Sequence, residues 1–297
     1  MKLRILGSAA GGGLPQWNCG GENSLRARAG DPAVPARSQT CVAVSADGAR
    51  WSLLWASPDL RSQLIGFPAL YPRPGTRDVP LDTLVLTSAE LDCVLGLLLL
   101  RESLSYRVLS TRWVRDALLD HGAPFRPLDA CWSGVGLDEP VYLDREQILE
   151  ARFFPLAPKL PGYLRELAQS GRETTVGLRL TDTRSGRRLV FAPGIKQLDS
   201  ALLAELEAAQ LRLVDGTFYT WDELLSLRPG APDAVAMGHL PIAGSGGSLE
   251  RLAGLRGRTL YLHMNATNPI LDARSKARAA VLQAGLEIAS DGQELEL

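Results

Sequence analysis

The first half of the chain alternates short apolar runs with polar turns, a pattern typical of β-strands. Residues 2–6 are predicted to form the first strand. Residues 40–46 and 50–56 flank Asp47-Gly48, a dipeptide typical of a tight β-hairpin turn. The pattern therefore predicts that strands and hairpins dominate the early part of the chain.

Helical segments become more frequent in the later part of the chain. Helices are predicted over residues 60–67, 111–120, 201–210 and 272–284, with a helical run that ends at Ser103. Further strands are predicted at residues 84–86, 106–109, 175–181, 188–191, 211–214, 260–262 and 286–288. Asp199 or Ser200 caps the helix after it, and Gly285 ends the last helix. Hairpins followed by β-α units predict a layered α/β architecture with packed sheets inside and helices outside.

Residues 122–172 have a less regular pattern that is rich in Pro and Gly. We expect surface excursions in this region, which make it a candidate cover over a substrate. A chain of 297 residues allows one large domain or two small ones. We predict a single domain over residues 1–297.

The composition is that of an ordinary globular protein, with 45% apolar and 22% charged residues. The net charge is −1 and no basic arm is present, so nucleic acid is not an expected partner. The apolar run at the N-terminus is too short for a signal peptide, and no run approaches the roughly 20 apolar residues of a membrane span. We therefore expect a cytoplasmic protein that does not enter a membrane.

Polar residues follow three of the predicted strands at the point where each strand ends. These residues are Asp92-Cys93, Asp215-Gly216-Thr217 and His263. A further histidine, His239, follows a glycine in an irregular segment. Strand ends converge on the site crevice in layered α/β folds, so the sequence predicts that these side chains meet.

Each of these residues also has a structural interpretation. Asp215 could be a turn residue, and His263 could be a hydrogen-bonded histidine of the core. Asp92 could cap the helix that follows it. Cys93 could be a small buried apolar side chain, which is the common environment of a free cysteine. For His239 the sequence favours neither interpretation.

Two histidines and one carboxylate, namely Asp92, His239 and His263, would form a ligand set that suits non-haem Fe(II). Cys93 could add a thiolate and shift the preference toward softer ions. Asp215 is a further candidate ligand. In this hypothesis Asp92, His239 and His263 are also the catalytic residues.

Several motifs resemble, in order from end to end, those of the pyrroloquinoline quinone (PQQ) biosynthesis protein B family. They are Gly7–Cys19, Ala56–Arg61, Thr87–Asp92, Gly96–Leu98, Val214–Thr217, Met237–His239 and His263–Leu271. The strand at 84–86 also leads into the place where metallo-β-lactamase folds carry His-x-His-x-Asp-His. Those positions are Ser88, Glu90, Asp92 and Cys93 in this chain.

The resemblance implies a metallo-β-lactamase-like αββα four-layer sandwich. It also implies an iron-dependent hydroxylase that oxidises the tyrosine-derived ring of a cross-linked Glu–Tyr intermediate in PQQ biosynthesis. Carried over by position, the matching residues are Asp92, Asp215, His239 and His263. An older proposal for the family is transport of the finished cofactor.

Two departures from the family pattern change the expectations. The family's Cys-x-Cys-x-x-Cys zinc knuckle is Cys19, Gly21 and Ser24 here, so no structural zinc knuckle is expected. The family's Asp-His pair is Asp92-Cys93 here. This second change motivates two alternatives: a metal-poor binding or carrier protein for PQQ or its precursor, and a paralogue recruited to another peptide-derived product. Only three histidines are present, which disfavours a dinuclear zinc hydrolase.

The expected cofactor is one Fe(II), with zinc as its substitute in preparations. The expected partner is a small acidic substrate derived from a peptide, and a homodimer is the candidate assembly. The glycine-rich segment 7–13 lacks a dinucleotide-binding spacing and is either a flexible turn or a loop that faces the ligand. The candidate substrate-binding residues are Gly11, Gly12, Gly13, Arg61, Asn265 and Asn268.

Overall fold

A computed structural model of the protein describes residues 1–102 and 105–297. Within them the strands are β1 (Lys2–Gly7), β2 (Cys41–Ser45), β3 (Trp51–Leu54), β4 (Leu81–Val85), β5 (Arg107–Thr111), β6 (Trp132–Val135), β7 (Val141–Tyr142), β8 (Leu149–Pro155), β9 (Val176–Asp182), β10 (Arg188–Ala192), β11 (Leu211–Asp215), β12 (Arg258–Leu262), β13 (Glu287–Ile288) and β14 (Glu294–Glu296).

The α-helices are short and are α1 (Glu22–Arg28), α2 (Leu60–Ile65), α3 (Leu91–Val94), α4 (Arg112–His121), α5 (Ser200–Glu207), α6 (Ser248–Leu252) and α7 (Lys276–Gln283). Short 3₁₀ helices cover Pro68–Leu70, Leu95–Leu100, Ala123–Cys131, Gly162–Leu164, Glu223–Ser226 and Pro269–Leu271. Three α-helices begin with a side-chain cap, since Thr111, Asp199 and Ser275 each accept a hydrogen bond from the backbone three residues later.

The chain folds into two compact units, each assembled from separate segments. The first unit comprises residues 1–6, 40–188 and 292–297, and the second comprises residues 7–39 and 189–291. This division does not test the predicted single domain over residues 1–297, which stays a prediction.

The first unit contains a seven-stranded sheet with the order β14-β1-β2-β3-β4-β5-β6. The predicted hairpin is confirmed, because β2 and β3 pair antiparallel on either side of Asp47-Gly48. From β3 to β6 the strands run parallel, and every residue of β3 and β4 is buried. In the same unit, β7, β8 and β9 pair antiparallel with one another.

The second unit contains four parallel strands in the order β10-β11-β12-β13. All five residues of β11 are buried, as expected for a central strand with a continuous apolar sequence. The carboxyl ends of β10, β11 and β12 lie at one edge of this sheet. Polar side chains that follow these strands are therefore brought to a common edge.

Three elements differ from their predicted form. Residues 122–172 contain β6, β7 and β8 and are more regular than predicted. The helix predicted over 272–284 begins only at Lys276, because Asp272 binds Arg26 by two hydrogen bonds and Ser275 caps the helix. The run from the Asp92 loop is α3 followed by a 3₁₀ helix to Leu100, and the predicted end at Ser103 lies outside the described residues.

Among the described residues, none of the helices combines the length and the apolar character needed to cross a membrane.

Candidate metal centre

The site in the second unit lies at the carboxyl ends of β11 and β12. Asp215 is the last residue of β11 and is paired with Leu262, the last residue of β12, so His263 comes directly after that pair. Gly216 lets the two strand ends approach, because its N–H donates to the Leu262 carbonyl at 2.7 Å. A Cβ at Gly216 would lie 2.9 Å from that carbonyl oxygen. The glycine of the Asp215-Gly216-Thr217 motif is therefore a packing requirement.

His239 reaches the same place from the irregular segment between β11 and α6. Its backbone N–H donates to Ala234, and the next residue, Leu240, donates to Ile195, which follows β10. Its ring nitrogen Nδ1 lies 2.7 Å from Asp215 Oδ2. Of the side chains that were predicted to meet, Asp215, His239 and His263 lie close together in this unit.

The three residues can hold a metal ion, because one candidate ligand atom of each lies within 4.8 Å of the other two. Their exposed fractions are 2%, 6% and 6% for Asp215, His239 and His263. The two imidazoles are stacked with ring centroids 5.7 Å apart. Two imidazoles beside a carboxylate are a donor set that suits Fe(II) and other first-row transition metals.

The Asp215 carboxylate is surrounded by hydrogen-bond donors. Its Oδ2 accepts from the Ile195 backbone N–H at 2.8 Å and lies beside His239, and its Oδ1 accepts from the Thr217 backbone N–H at 2.9 Å. Burial by itself raises the pKa of Asp215, but the neighbouring His239 and the other donors stabilise the anion, so the pKa lies below its usual value. The site therefore holds an ionised carboxylate next to two imidazoles.

Thr217 is a site residue to which the sequence prediction gave no role. Its hydroxyl oxygen lies 2.6 Å from Asp215 Oδ1, 3.0 Å from His239 Nδ1 and 2.9 Å from His263 Nδ1. The sequence signal was its place two residues after Asp215, but sequence spacing does not reveal contact with two distant histidines.

His263 adopts a left-handed backbone conformation with φ of 60°. A non-glycine residue in this region carries backbone strain, and such strain concentrates at functional sites. The residue after it, Met264, donates to the Ser8 carbonyl at 3.1 Å and accepts from the Ala10 N–H at 2.8 Å. The glycine-rich segment therefore holds the backbone next to His263 in place.

The predicted substrate-binding glycines lie in that segment. Gly11 and Gly12 are exposed, and Gly13 is buried. Gly12 and Gly13 have φ of 94° and 69°, which explains why glycine is needed at these two positions. The Gly12 N–H donates to Gln39 Oε1 at 2.9 Å. Contact of this loop with a substrate stays a prediction.

Asn265 and Asn268 connect the loop after β12 to the loop after β11. The Asn265 backbone N–H donates to the Thr217 carbonyl at 3.0 Å, and the Asn268 side-chain amide donates to the Gly216 carbonyl at 2.7 Å. Asn268 is completely buried. These contacts give both residues a part in positioning the site, whereas their predicted contact with substrate is not tested.

Glu223 is a further residue near the site, and no pattern in the sequence singles it out. Its Oε1 accepts from the Thr267 hydroxyl at 2.7 Å, and its Oε2 accepts from the backbone N–H groups of Tyr219 and Thr220. Burial raises the pKa of Glu223 to about 7 against the opposing effect of these hydrogen bonds. The residue lines a cavity of about 500 Å³ together with Thr220 and Thr267.

Other predicted site residues lie in the first unit. Asp92 and Cys93 are in α3, and Arg61 is exposed on α2. Cys93 is fully buried, and its burial raises the pKa of its thiol well above the usual value. The roles predicted for Asp92 and Cys93 as metal ligands, and for Arg61 in substrate binding, stay predictions.

Comparison with known proteins places the chain in a family. Residues 50–264 match the model of the beta-lactamase superfamily domain. A coenzyme PQQ synthesis protein B from Azotobacter vinelandii is 40% identical to this chain, and the alignment covers all of both proteins. The chain belongs to the coenzyme PQQ synthesis protein B family. Proteins of the same name from Pseudomonas aeruginosa and Pseudomonas putida are each 39% identical over their whole length.

Solved structures agree with this assignment. Zn(2+)-bound PqqB from Methylobacterium extorquens superimposes with a TM-score of 0.93 at 36% identity, and both chains are completely covered. A diphosphatase of the PhnP family, at 17% identity and a TM-score of 0.68, shares the fold alone. The predicted fold class is confirmed as the metallo-β-lactamase fold, which has two mixed β-sheets flanked by helices.

Proposed function

We propose that this protein acts in PQQ biosynthesis and oxidises the tyrosine-derived ring of a cross-linked Glu–Tyr intermediate with the help of a bound iron. The observation that carries the proposal is the buried Asp215–His239–His263 group in a chain 40% identical over its whole length to a coenzyme PQQ synthesis protein B. The identity of this relative supports the pathway. The donor set supports a metal-dependent oxidation.

The residues fit a transition metal, since two buried imidazoles lie beside an ionised carboxylate. His239 and His263 would hold the ion, with Asp215 next to them. A related PqqB from M. extorquens is Zn(2+)-bound, which supports metal binding in this family, although zinc itself has no redox chemistry. Iron bound here would activate dioxygen for oxidation of a phenolic ring.

The chain's own residues prepare the site for this chemistry. Asp215 fixes the orientation of the His239 ring through Nδ1, and the burial of both histidines excludes water from them. Glu223 has a pKa of about 7, so its carboxyl can hold or release a proton near neutral pH. The Gly11–Gly13 loop would hold the acidic substrate.

Mass spectrometry tests the proposal directly. The anaerobically Fe(II)-loaded protein is mixed with the cross-linked Glu–Tyr intermediate and then exposed to ¹⁸O₂. We expect ¹⁸O in the tyrosine-derived ring with the parent protein and none with His263→Ala. Absence of label in both, with iron bound to the parent, would refute oxygen insertion as the function.

A second candidate function is a carrier for PQQ or its precursor, in line with the older proposal of transport for the family. The buried Cys93 at the position of the family histidine favours this alternative, because a thiol with a raised pKa is a poor ligand until it is deprotonated. Tight binding of PQQ or its precursor by protein that takes up no iron would support the carrier. A protein recruited to another peptide-derived product would instead bind neither PQQ nor its precursor.

A further inference from the structure

The position of the Thr217 hydroxyl limits how a metal can use this site. Its oxygen lies within 3.0 Å of Nδ1 of both histidines and 2.6 Å from Asp215 Oδ1. An ion held by both Nδ1 atoms and the Asp215 carboxylate would need the space that this hydroxyl occupies. The ion must therefore be held through other ligand atoms, or Thr217 must leave.

The hydrogen bonds of Asp215 also limit how a metal can use this site. A carboxylate has about four acceptor positions. The Ile195 N–H and His239 Nδ1 occupy Oδ2, while the Thr217 N–H and the Thr217 hydroxyl occupy Oδ1. Four contacts from the protein account for the whole accepting capacity of Asp215.

The same hydrogen bonds assign the protons on the two rings. Asp215 Oδ1 accepts from the Thr217 hydroxyl at 2.6 Å, and this hydroxyl has a single proton to donate. The His263 carbonyl oxygen also lies near this hydroxyl, but at 3.0 Å it is the more distant of the two acceptors. The Thr217 oxygen can then only accept from the rings. This requires a proton on Nδ1 of His263, at 2.9 Å, and on Nδ1 of His239, which it shares with Asp215.

We propose that Asp215 and Thr217 are positioning residues that fix both histidines as Nδ1–H tautomers, so that each presents Nε2 to the metal and Asp215 is not itself a ligand. The carboxylate–histidine–metal arrangement is a general device that orients the ring and raises the basicity of the ligand nitrogen. The proposal refines the metal site on which the proposed function rests. It assigns the metal-ligand role in this unit to His239 and His263 alone.

The tautomers can be observed without metal or substrate. The chain has three histidines, so a long-range ¹H–¹⁵N spectrum of the metal-free full-length protein contains three ring systems, with His121 at the end of α4 as an internal reference. We expect the Nδ1–H pattern for His239 and His263. The Nε2–H pattern at either ring would overturn the proposal.

Two substitutions at Thr217 separate the effect of the hydroxyl from the effect of the side-chain volume. Thr217→Ser keeps the hydroxyl and should keep both tautomers. Thr217→Val should lose the preference at His263, whose Nδ1 partner here is Thr217, and keep it at His239, which retains Asp215. An unchanged His263 in the valine variant would refute the role of Thr217. If the valine variant does not fold, the spectrum of the parent protein still decides.

Zn(II) affinity, measured by competition with a chromogenic chelator, tests the role of Asp215. Loss of an orienting partner typically weakens metal binding by about 10–100-fold. We therefore expect Asp215→Asn to bind one Zn(II) more weakly within that range, and His263→Ala to lose the site. Complete loss of Zn(II) binding in Asp215→Asn would make Asp215 a ligand and overturn the proposal. None of these measurements uses the PQQ precursor, so they stand or fall independently of the proposed reaction.

Discussion

Glu223 should make the stability of the second unit depend on pH between about pH 4.5 and 7. Its pKa is about 7 against an ordinary value of 4.5, mainly because of burial, and the neighbouring Asp222 adds repulsion. Glu22 lines the same cavity. A difference of about 2.5 pH units, at about 1.4 kcal/mol per unit, corresponds to about 3 kcal/mol.

The direction follows from proton linkage. The folded state binds the Glu223 proton more tightly than the unfolded state, so the stabilising contribution is complete below about pH 4.5 and is lost as the pH rises through about 7. We expect the free energy of unfolding of the parent protein to fall by up to about 3 kcal/mol over this interval, relative to Glu223→Gln. Glutamine can occupy the place because its amide oxygen can accept from Tyr219 and Thr220, and its NH₂ can donate to Thr267.

Urea denaturation between pH 4.5 and 8 measures this difference. Glu22→Gln is the matched control, because Glu22 lines the same cavity but is exposed and forms an ion pair with Arg26 within α1. The control should keep the pH dependence of the parent. If the free energies of unfolding of the parent protein and of Glu223→Gln changed in parallel with pH, burial could not have raised the pKa of Glu223.

Three other changes have clear expected outcomes. Gly216→Ala should lower the free energy of unfolding by about 1–3 kcal/mol in a urea melt and weaken metal binding, because the new Cβ would lie 2.9 Å from the Leu262 carbonyl oxygen. Stability and metal affinity equal to those of the parent protein would contradict the close packing of the strand ends. Hydrogen bonds from Arg184 hold the pKa of Asp182 well below its usual value, so this carboxylate stabilises the folded protein above about pH 4 and loses that effect as the pH falls. Asp182→Asn should therefore lower the melting temperature at pH 7, and by a smaller amount in acid. An equal loss at every pH would exclude the charge as the cause. Cys93→Ala should keep the iron content per folded chain, measured by elemental analysis, because burial raises the pKa of the thiol and makes it a poor ligand; loss of iron in this variant would contradict that reasoning.

Local signals in the sequence were sufficient for most of the fold. The hairpin at Asp47-Gly48 and the helix caps at Thr111 and Asp199 depend on neighbouring residues, so they could be predicted without the tertiary structure. The last helix was predicted to begin at Asp272 but begins later, because Asp272 binds Arg26, which is far away in the sequence. The helix propensity of the local sequence does not reveal such a long-range contact.

The candidate site was predictable only in part. Asp215 and His263 could be found because both follow apolar strands, and parallel strands end at the same edge of a sheet. The role of Thr217 depends on two ring nitrogens that come from distant segments. Glu223 lies in a short 3₁₀ helix with no motif, and its raised pKa arises from burial that appears only after the loop closes.

The most direct test of the account is dioxygen consumption by the anaerobically Fe(II)-reconstituted protein, with its iron content measured on the same sample. We expect about one iron per chain and dioxygen uptake that begins only when the cross-linked Glu–Tyr intermediate is added. His263→Ala should lack both. Protein that binds the intermediate but holds no iron and consumes no dioxygen would contradict a metal-dependent oxidation and leave the carrier as the function.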